Sequence, residues 1–181
     1  KHPDKLLTLL RALAYQIGSQ VSFNELGELC SMDAKTVERY VMLLEQCYII
    51  FRLPSFARNL RNELKTSRKI YFYDTGIRNA LIADFNMPDM RQDIGHLWEN
   101  FVIAERMKYL TYNEMWVNSY FWRTKQQQEM DYVEESNGKL LACEIKWNAK
   151  TKAKLPKTFC ENYTNSDFIV VTPDTVEDFL L

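Results

Sequence analysis

EMDYVEESNGKLLACEIKW, residues Glu129 to Trp147, reads as a β-hairpin with chemistry on one face. Asn137-Gly138 is a strong two-residue turn signal, because a type I′ turn needs φ > 0 at both central positions. With those two residues as the turn, Ser136 pairs with Lys139 and paired positions sum to 275. Asp131 then lies opposite Glu144, and Glu129 opposite Lys146. Side chains alternate between faces along a strand, so Lys146 shares a face with Glu144. The other face carries Met130, Tyr132, Leu141, Cys143, Ile145 and Trp147 and is expected to be core.

Two carboxylates opposite one another destabilise a sheet. At about 5 Å and an effective dielectric near 20, the repulsion is roughly 3 kcal/mol. Lys146, solvent or a divalent metal has to offset it. A solvated hairpin face, with Lys146 and Glu129 as a surface ion pair, is the competing reading.

Asp131, followed by Glu144-Ile145-Lys146 on the next strand, resembles the PD-(D/E)XK nuclease motif. An acidic residue on an upstream helix completes that motif, and Glu99 in IGHLWENFVIAERMKYL is suitably placed. The larger order YIIFRLPSFARN, KIYFYDTGIRNAL, GHLWENFVIAE, YFWRTKQQQEMDYV, CEIKW resembles a bacterial and archaeal family over nearly the whole chain. That family is the C-terminal region following an AAA-type P-loop ATPase domain. One departure stands out. A glycine is expected shortly before the Glu-x-Asp segment, and this chain has Gln126-Gln127-Gln128.

The resemblance implies roles. Asp131, Glu144 and Lys146 would be catalytic. Glu99, Asp131, Glu144 and the Ile145 carbonyl would hold Mg²⁺ or Mn²⁺, hard cations that prefer oxygen ligands. The metal would polarise a phosphate and lower the pKa of a bound water, and Lys146 would stabilise transition-state charge.

The 181 residues suffice for one medium domain or two small ones, and 46% hydrophobic residues can bury a core. The net charge of −1 announces no global affinity for nucleic acid. Local charge says more. Arg52 to Lys69 and Lys139 to Lys157 each hold six basic residues against one acidic residue. The four cysteines form no CxxC pair, and His2 and His96 are the only histidines, so neither a zinc site nor a disulfide scaffold is expected. Reduced thiols, no signal peptide and no apolar run of membrane-spanning length point to a cytoplasmic protein. The sequence opens at Lys1 inside a helix-like pattern and contains no GxxxxGK[ST]. We expect a fragment whose ATPase domain lies upstream.

The first part reads as an N-terminal winged helix-turn-helix, residues 1–73. A helical stripe from Leu6 to Ile17 ends at Gly18. Ser22 caps a helix from Phe23 to Leu29, and Asp33 caps a third helix to about Gln46. Strands at Tyr48–Leu53 and Lys69–Tyr73 follow, with Ser55 to Arg68 as the wing. Expected DNA contacts are Lys35, Thr36 and Arg39 on the third helix and Arg52, Arg58, Arg61, Lys65 and Arg68 around the wing. Docking to a partner or to the ATPase domain is the alternative use of this module. Homo-oligomerisation is also open.

Residues 74–181 read as a restriction-endonuclease-like αβββαβ core with a mixed sheet, making the fold class α+β to α/β. A linking helix capped by Asp74 is expected to pack through Ile77, Leu81 and Ile82. The Glu99 helix is expected from about Arg91 to Leu110 with a stripe of Ile94, Leu97, Trp98, Phe101, Ala104 and Met107. Phe168-Ile169-Val170-Val171 reads as a strand buried on both faces. The function expected is a nucleic-acid-binding fragment with a metal-dependent DNA phosphodiesterase site. The alternative is a non-catalytic nuclease-like module for binding and docking.

Overall fold

The computed structural model describes residues 3–56 and 68–181. Arg58, Arg61 and Lys65, and with them most of the expected wing, lie outside the described residues. The chain forms two compact units, Lys1–Leu53 with Ser67–Phe101 and Pro54–Thr66 with Val102–Leu181. Both mix helix and strand.

The first unit runs α1 (Pro3–Tyr15), β1 (Gln20–Val21), α2 (Phe23–Cys30), α3 (Ala34–Gln46), β2 (Ile50–Pro54), β3 (Arg68–Phe72) and α4 (Thr75–Ile82). Its sheet has the order β1-β3-β2, with β1 antiparallel to β3. The two-residue β1 is too short for sequence periodicity to announce. The capping residues act as their chemistry dictates. Ser22 Oγ accepts from Glu25 N–H, and Asp33 accepts from Thr36 N–H at 2.9 Å and from the Thr36 hydroxyl at 2.6 Å. Asp74 accepts from Gly76 N–H at 2.6 Å. An Asp33→Ala variant leaves orphan donors at the start of α3 and is expected to lower the midpoint of a urea melt. An unchanged midpoint would show that the cap is dispensable.

Leu9, Leu13, Ile17, Leu26, Val37, Val41, Leu44, Ile50, Ile70 and Phe72 make the core of this unit. Leu81 and Ile82 of α4 pack on it, but Ile77 is exposed and Arg78 is buried instead. The Arg78 guanidinium donates to Ala14 O at 2.9 Å and meets Asp93 at 2.5 Å. Arg91 is also buried and pairs with Asp84 and Asp93. That network explains why α5 begins at Ile94 and not at Arg91: Arg91 and Asp93 are spent bracing the preceding turn. The helix α5 (Ile94–Tyr112) passes from the first unit into the second. Its buried apolar positions are Trp98, Val102, Ile103, Ala104 and Leu110, with Glu99 and Asn100 buried beside them, while Phe101 of the expected stripe is exposed.

The second unit continues with β4 (Asn118–Arg123), β5 (Glu129–Ser136), β6 (Lys139–Ile145), α6 (Lys157–Asn162), β7 (Ser166–Val171) and α7 (Val176–Leu180). The sheet is mixed, in the order β4-β5-β6-β7: the first two pairs are antiparallel and β6–β7 is parallel. The expected hairpin register holds from Tyr132↔Cys143 to Ser136↔Lys139, with paired positions summing to 275. Asn137 and Gly138 take φ of 52° and 74°, as the tight turn requires.

Two expectations change here. Met130 does not share a face with Tyr132. It clusters with Val133, Leu140, Ala142, Trp122 and Phe159. A bulge is the reason: Tyr120 pairs with Val133 and Trp122 with Met130, so Asp131 and Tyr132 together oppose Phe121. The strand β7, expected to be buried on both faces, has Phe168, Ile169 and Val170 only partly buried, because it lies at the end of the sheet order.

Candidate functional site

Asp131 and Glu144 lie one step beyond the last paired residues of the β5–β6 ladder, beside the bulge. The Asp131 carboxylate accepts the Ile145 N–H at 2.8 Å, which fixes its orientation. The Lys146 ammonium lies 3.2 Å from Asp131 Oδ2 and 2.5 Å from Glu144 Oε2. Asp131 and Glu144 are only 14% and 12% exposed, so this is not a solvated surface pair. Lys146 is the more open at 32%. Lys146 pairs with these two acids, and Glu129 instead has Arg123 at 3.7 Å.

The electrostatics follow from that crowding. Burial and then the Asp131 charge push the Glu144 carboxyl up to about 7, with Lys146 pulling the other way. Burial opposes the charge on Lys146, but Asp131 and Glu144 together hold the ammonium above its ordinary value. The site therefore has two acids and one cation. It is short of positive charge.

Four of the five residues expected at the metal-dependent site are brought together: Asp131, Glu144, Ile145 and Lys146. Glu99 belongs to the first unit, where its Oε1 accepts from Tyr71 OH at 2.5 Å and from Lys69 Nζ at 3.1 Å. Among the described residues no group of three or more His, Cys, Asp and Glu side chains is placed to hold a metal ion. A pair of carboxylates is nevertheless a sufficient protein contribution for Mg²⁺, which keeps several waters and needs one or two carboxylates plus substrate phosphate. The excess negative charge fits such a cation.

The residues expected to contact DNA fare unevenly. Lys35 and Arg39 are exposed on α3. The Thr36 hydroxyl is held by Asp33. Arg52 is committed to Glu45, at 2.7 Å through Nε and 2.6 Å through Nη2. Arg68 lies over the Phe23 ring, 4.5 Å from its centroid. All four cysteines are free thiols, and burial pushes Cys143 well above its ordinary value.

A second buried charge group went unanticipated. Arg106 forms a two-pronged pair with Glu134, at 2.6 and 3.0 Å, and donates to Phe179 O at 2.6 Å. Burial opposes the Arg106 charge, but Glu134 holds it above its ordinary value. The parity of β5 was the available signal. Glu134 falls on the same face as Tyr132, and a carboxylate there needs a cationic partner.

Residues 94–179 match the family described as "Domain of unknown function (DUF4143)", and residues 1–88 match "Domain of unknown function (DUF8612)". Among curated proteins, "Uncharacterized protein Mb2031c" of Mycobacterium bovis and "Uncharacterized protein Rv2008c" of Mycobacterium tuberculosis are each 29% identical over 136 residues. The match covers 74% of this chain and 30% of each relative, so the chain spans less than a third of the length of these relatives. No solved structure is significantly similar. No helix among the described residues is long and apolar enough to cross a membrane.

Proposed function

We propose that the second unit is a PD-(D/E)XK-type phosphodiesterase domain acting on DNA, and that the first is a winged helix-turn-helix which helps to hold it. The observation that carries this reading is the Asp131–Glu144–Lys146 constellation. Two nearly buried carboxylates share one lysine at the end of a bulged hairpin. An ordinary solvated hairpin has no reason to bury like charges together. The element order αβββαβ and the mixed sheet support a restriction-endonuclease-like fold. The order α1-β1-α2-α3-β2-β3 and the sheet order β1-β3-β2 support a winged helix.

In this reading Asp131, Glu144 and the Ile145 carbonyl hold Mg²⁺ or Mn²⁺, which supplies Lewis acidity and a more acidic bound water. Asp131 is pre-positioned by the Ile145 N–H. Lys146, the most open of the three charged groups, orients the scissile phosphate or the attacking water. The longer protein couples this domain to an upstream AAA-type ATPase domain, and the site works in the cytoplasm. A non-catalytic use of the same fold is the second reading. The commitment of Arg52 and Thr36 within the first unit favours docking over DNA contact for those two residues.

Titration of Mn²⁺ and Mg²⁺ by calorimetry tests the proposal, with Asp131→Asn and Lys146→Ala alongside. Binding is expected in the wild type, lost in Asp131→Asn and kept in Lys146→Ala. Cleavage of duplex, branched and single-stranded DNA should then require the bound ion. Absence of binding at millimolar metal, with DNA present, overturns the catalytic reading in favour of a binding module.

A further inference from the structure

The chain leaves the candidate site along an unusual segment. After Lys146, Asn148 turns the backbone: its Oδ1 accepts Lys150 N–H at 3.0 Å and its carbonyl accepts Thr151 N–H at 3.0 Å. Residues 148–156 then run without helix or strand as far as α6. This segment carries Lys150, Lys152 and Lys154, and Lys157 opens α6. All four lysines are exposed. No acidic residue occurs between Glu144 and Glu161, and none of the four ammonium groups is paired with an acid among the described residues.

Two physical points set this run apart from an ordinary solvated face. Lys157 stands at the helix end that disfavours a cation, and no acid in the first turn offsets it. The run also begins close to the site along the chain, because Lys150 lies four residue steps from Lys146, a span of at most about 14 Å. Arg52 and Arg68, by contrast, are already engaged within the first unit. These four lysines are therefore uncommitted cations on the segment that leads directly out of the candidate chemistry.

We propose that Lys150, Lys152, Lys154 and Lys157 form a phosphate-contact rail that grips the sugar–phosphate backbone of a nucleic-acid strand leading out of the Asp131–Glu144–Lys146 site. The proposal rests on the phosphodiesterase reading for the site it serves. The rail itself uses only charge. It reads no bases, and it positions the strand so that one phosphodiester lies at Lys146.

The test is fluorescence anisotropy with labelled single-stranded and duplex DNA, in EDTA so that no metal acts, over a series of salt concentrations. The wild type is expected to bind with a steep salt dependence. The triple variant Lys150→Ala, Lys152→Ala, Lys154→Ala should bind at least tenfold more weakly at low salt. Its log–log salt slope should be smaller by about 2 to 3, as expected for three lost phosphate contacts. The corresponding arginine variant should restore both. Because the three side chains are exposed, the melting midpoint and the Mn²⁺ isotherm should match the wild type. Wild-type affinity and slope in the alanine variant would overturn the rail, as would a wild type that binds neither DNA in EDTA. Loss of Mn²⁺ binding in the wild type would overturn the catalytic reading alone.

Discussion

Glu144→Gln is expected to raise the melting midpoint at pH 8.5 by roughly 5–10 °C. The reason is proton linkage. Glu144 holds its proton up to about 7 in the folded chain, against an ordinary 4.5. Below 4.5 both states carry the proton and the group does not oppose folding. As the pH rises from 4.5 to about 7 the unfolded chain gives up the proton first, and stability falls. Above 7 the folded protein holds two crowded carboxylates, and the whole penalty is present. The gap corresponds to about 3 kcal/mol. Glutamine keeps the shape without the charge, so the variant should be more stable at high pH and should lose the decline between pH 4.5 and 7. Differential scanning calorimetry across that window decides it. A variant that melts at or below the wild type at pH 8.5, with the decline intact, would show that Lys146 already neutralises the pair. If the site takes a divalent cation, Mn²⁺ should raise the wild-type midpoint at pH 8.5 and leave Glu144→Gln unmoved.

Arg106→Ala is expected to cost about 3–5 kcal/mol, enough to unfold the second unit at modest urea. The truncation leaves Glu134 buried and unpaired, and also removes the donor to Phe179 O that ties α7 to α5. It strips the cation stacked 4.5 Å from the Phe179 ring centroid as well. A buried ion pair is not in itself a stability gain, because desolvation offsets its attraction. The double variant Arg106→Met, Glu134→Leu should therefore recover most of what either single change loses. Urea melts of the wild type, Arg106→Met, Glu134→Leu and the double variant form a double-mutant cycle. Additive losses would show that the two side chains act independently, contrary to their geometry.

The parts legible in the sequence were those ruled by local chemistry. Asn137-Gly138 specifies one tight turn, the turn specifies a register, and that register brings Asp131 and Glu144 to the same step of the hairpin. Ser22, Asp33 and Asp74 cap the helices they were expected to cap, because a short polar side chain satisfies a neighbouring N–H whatever else the chain does. The order of elements along the second unit, too, was visible as αβββαβ.

What the sequence alone did not carry depends on groups distant in the chain. The bulge at Asp131–Tyr132 turns Met130 to the other face, and only the pairing with β4 reveals it. The commitment of Arg52 to Glu45 and the burial of Arg78 arise from packing, and no count of local charge predicts either. The residues of the candidate site were therefore readable from the hairpin. Their proton affinity was not, because it depends on how far tertiary packing removes Glu144 and Asp131 from water. Charge and spacing are local properties of a sequence, while desolvation belongs to the folded chain as a whole.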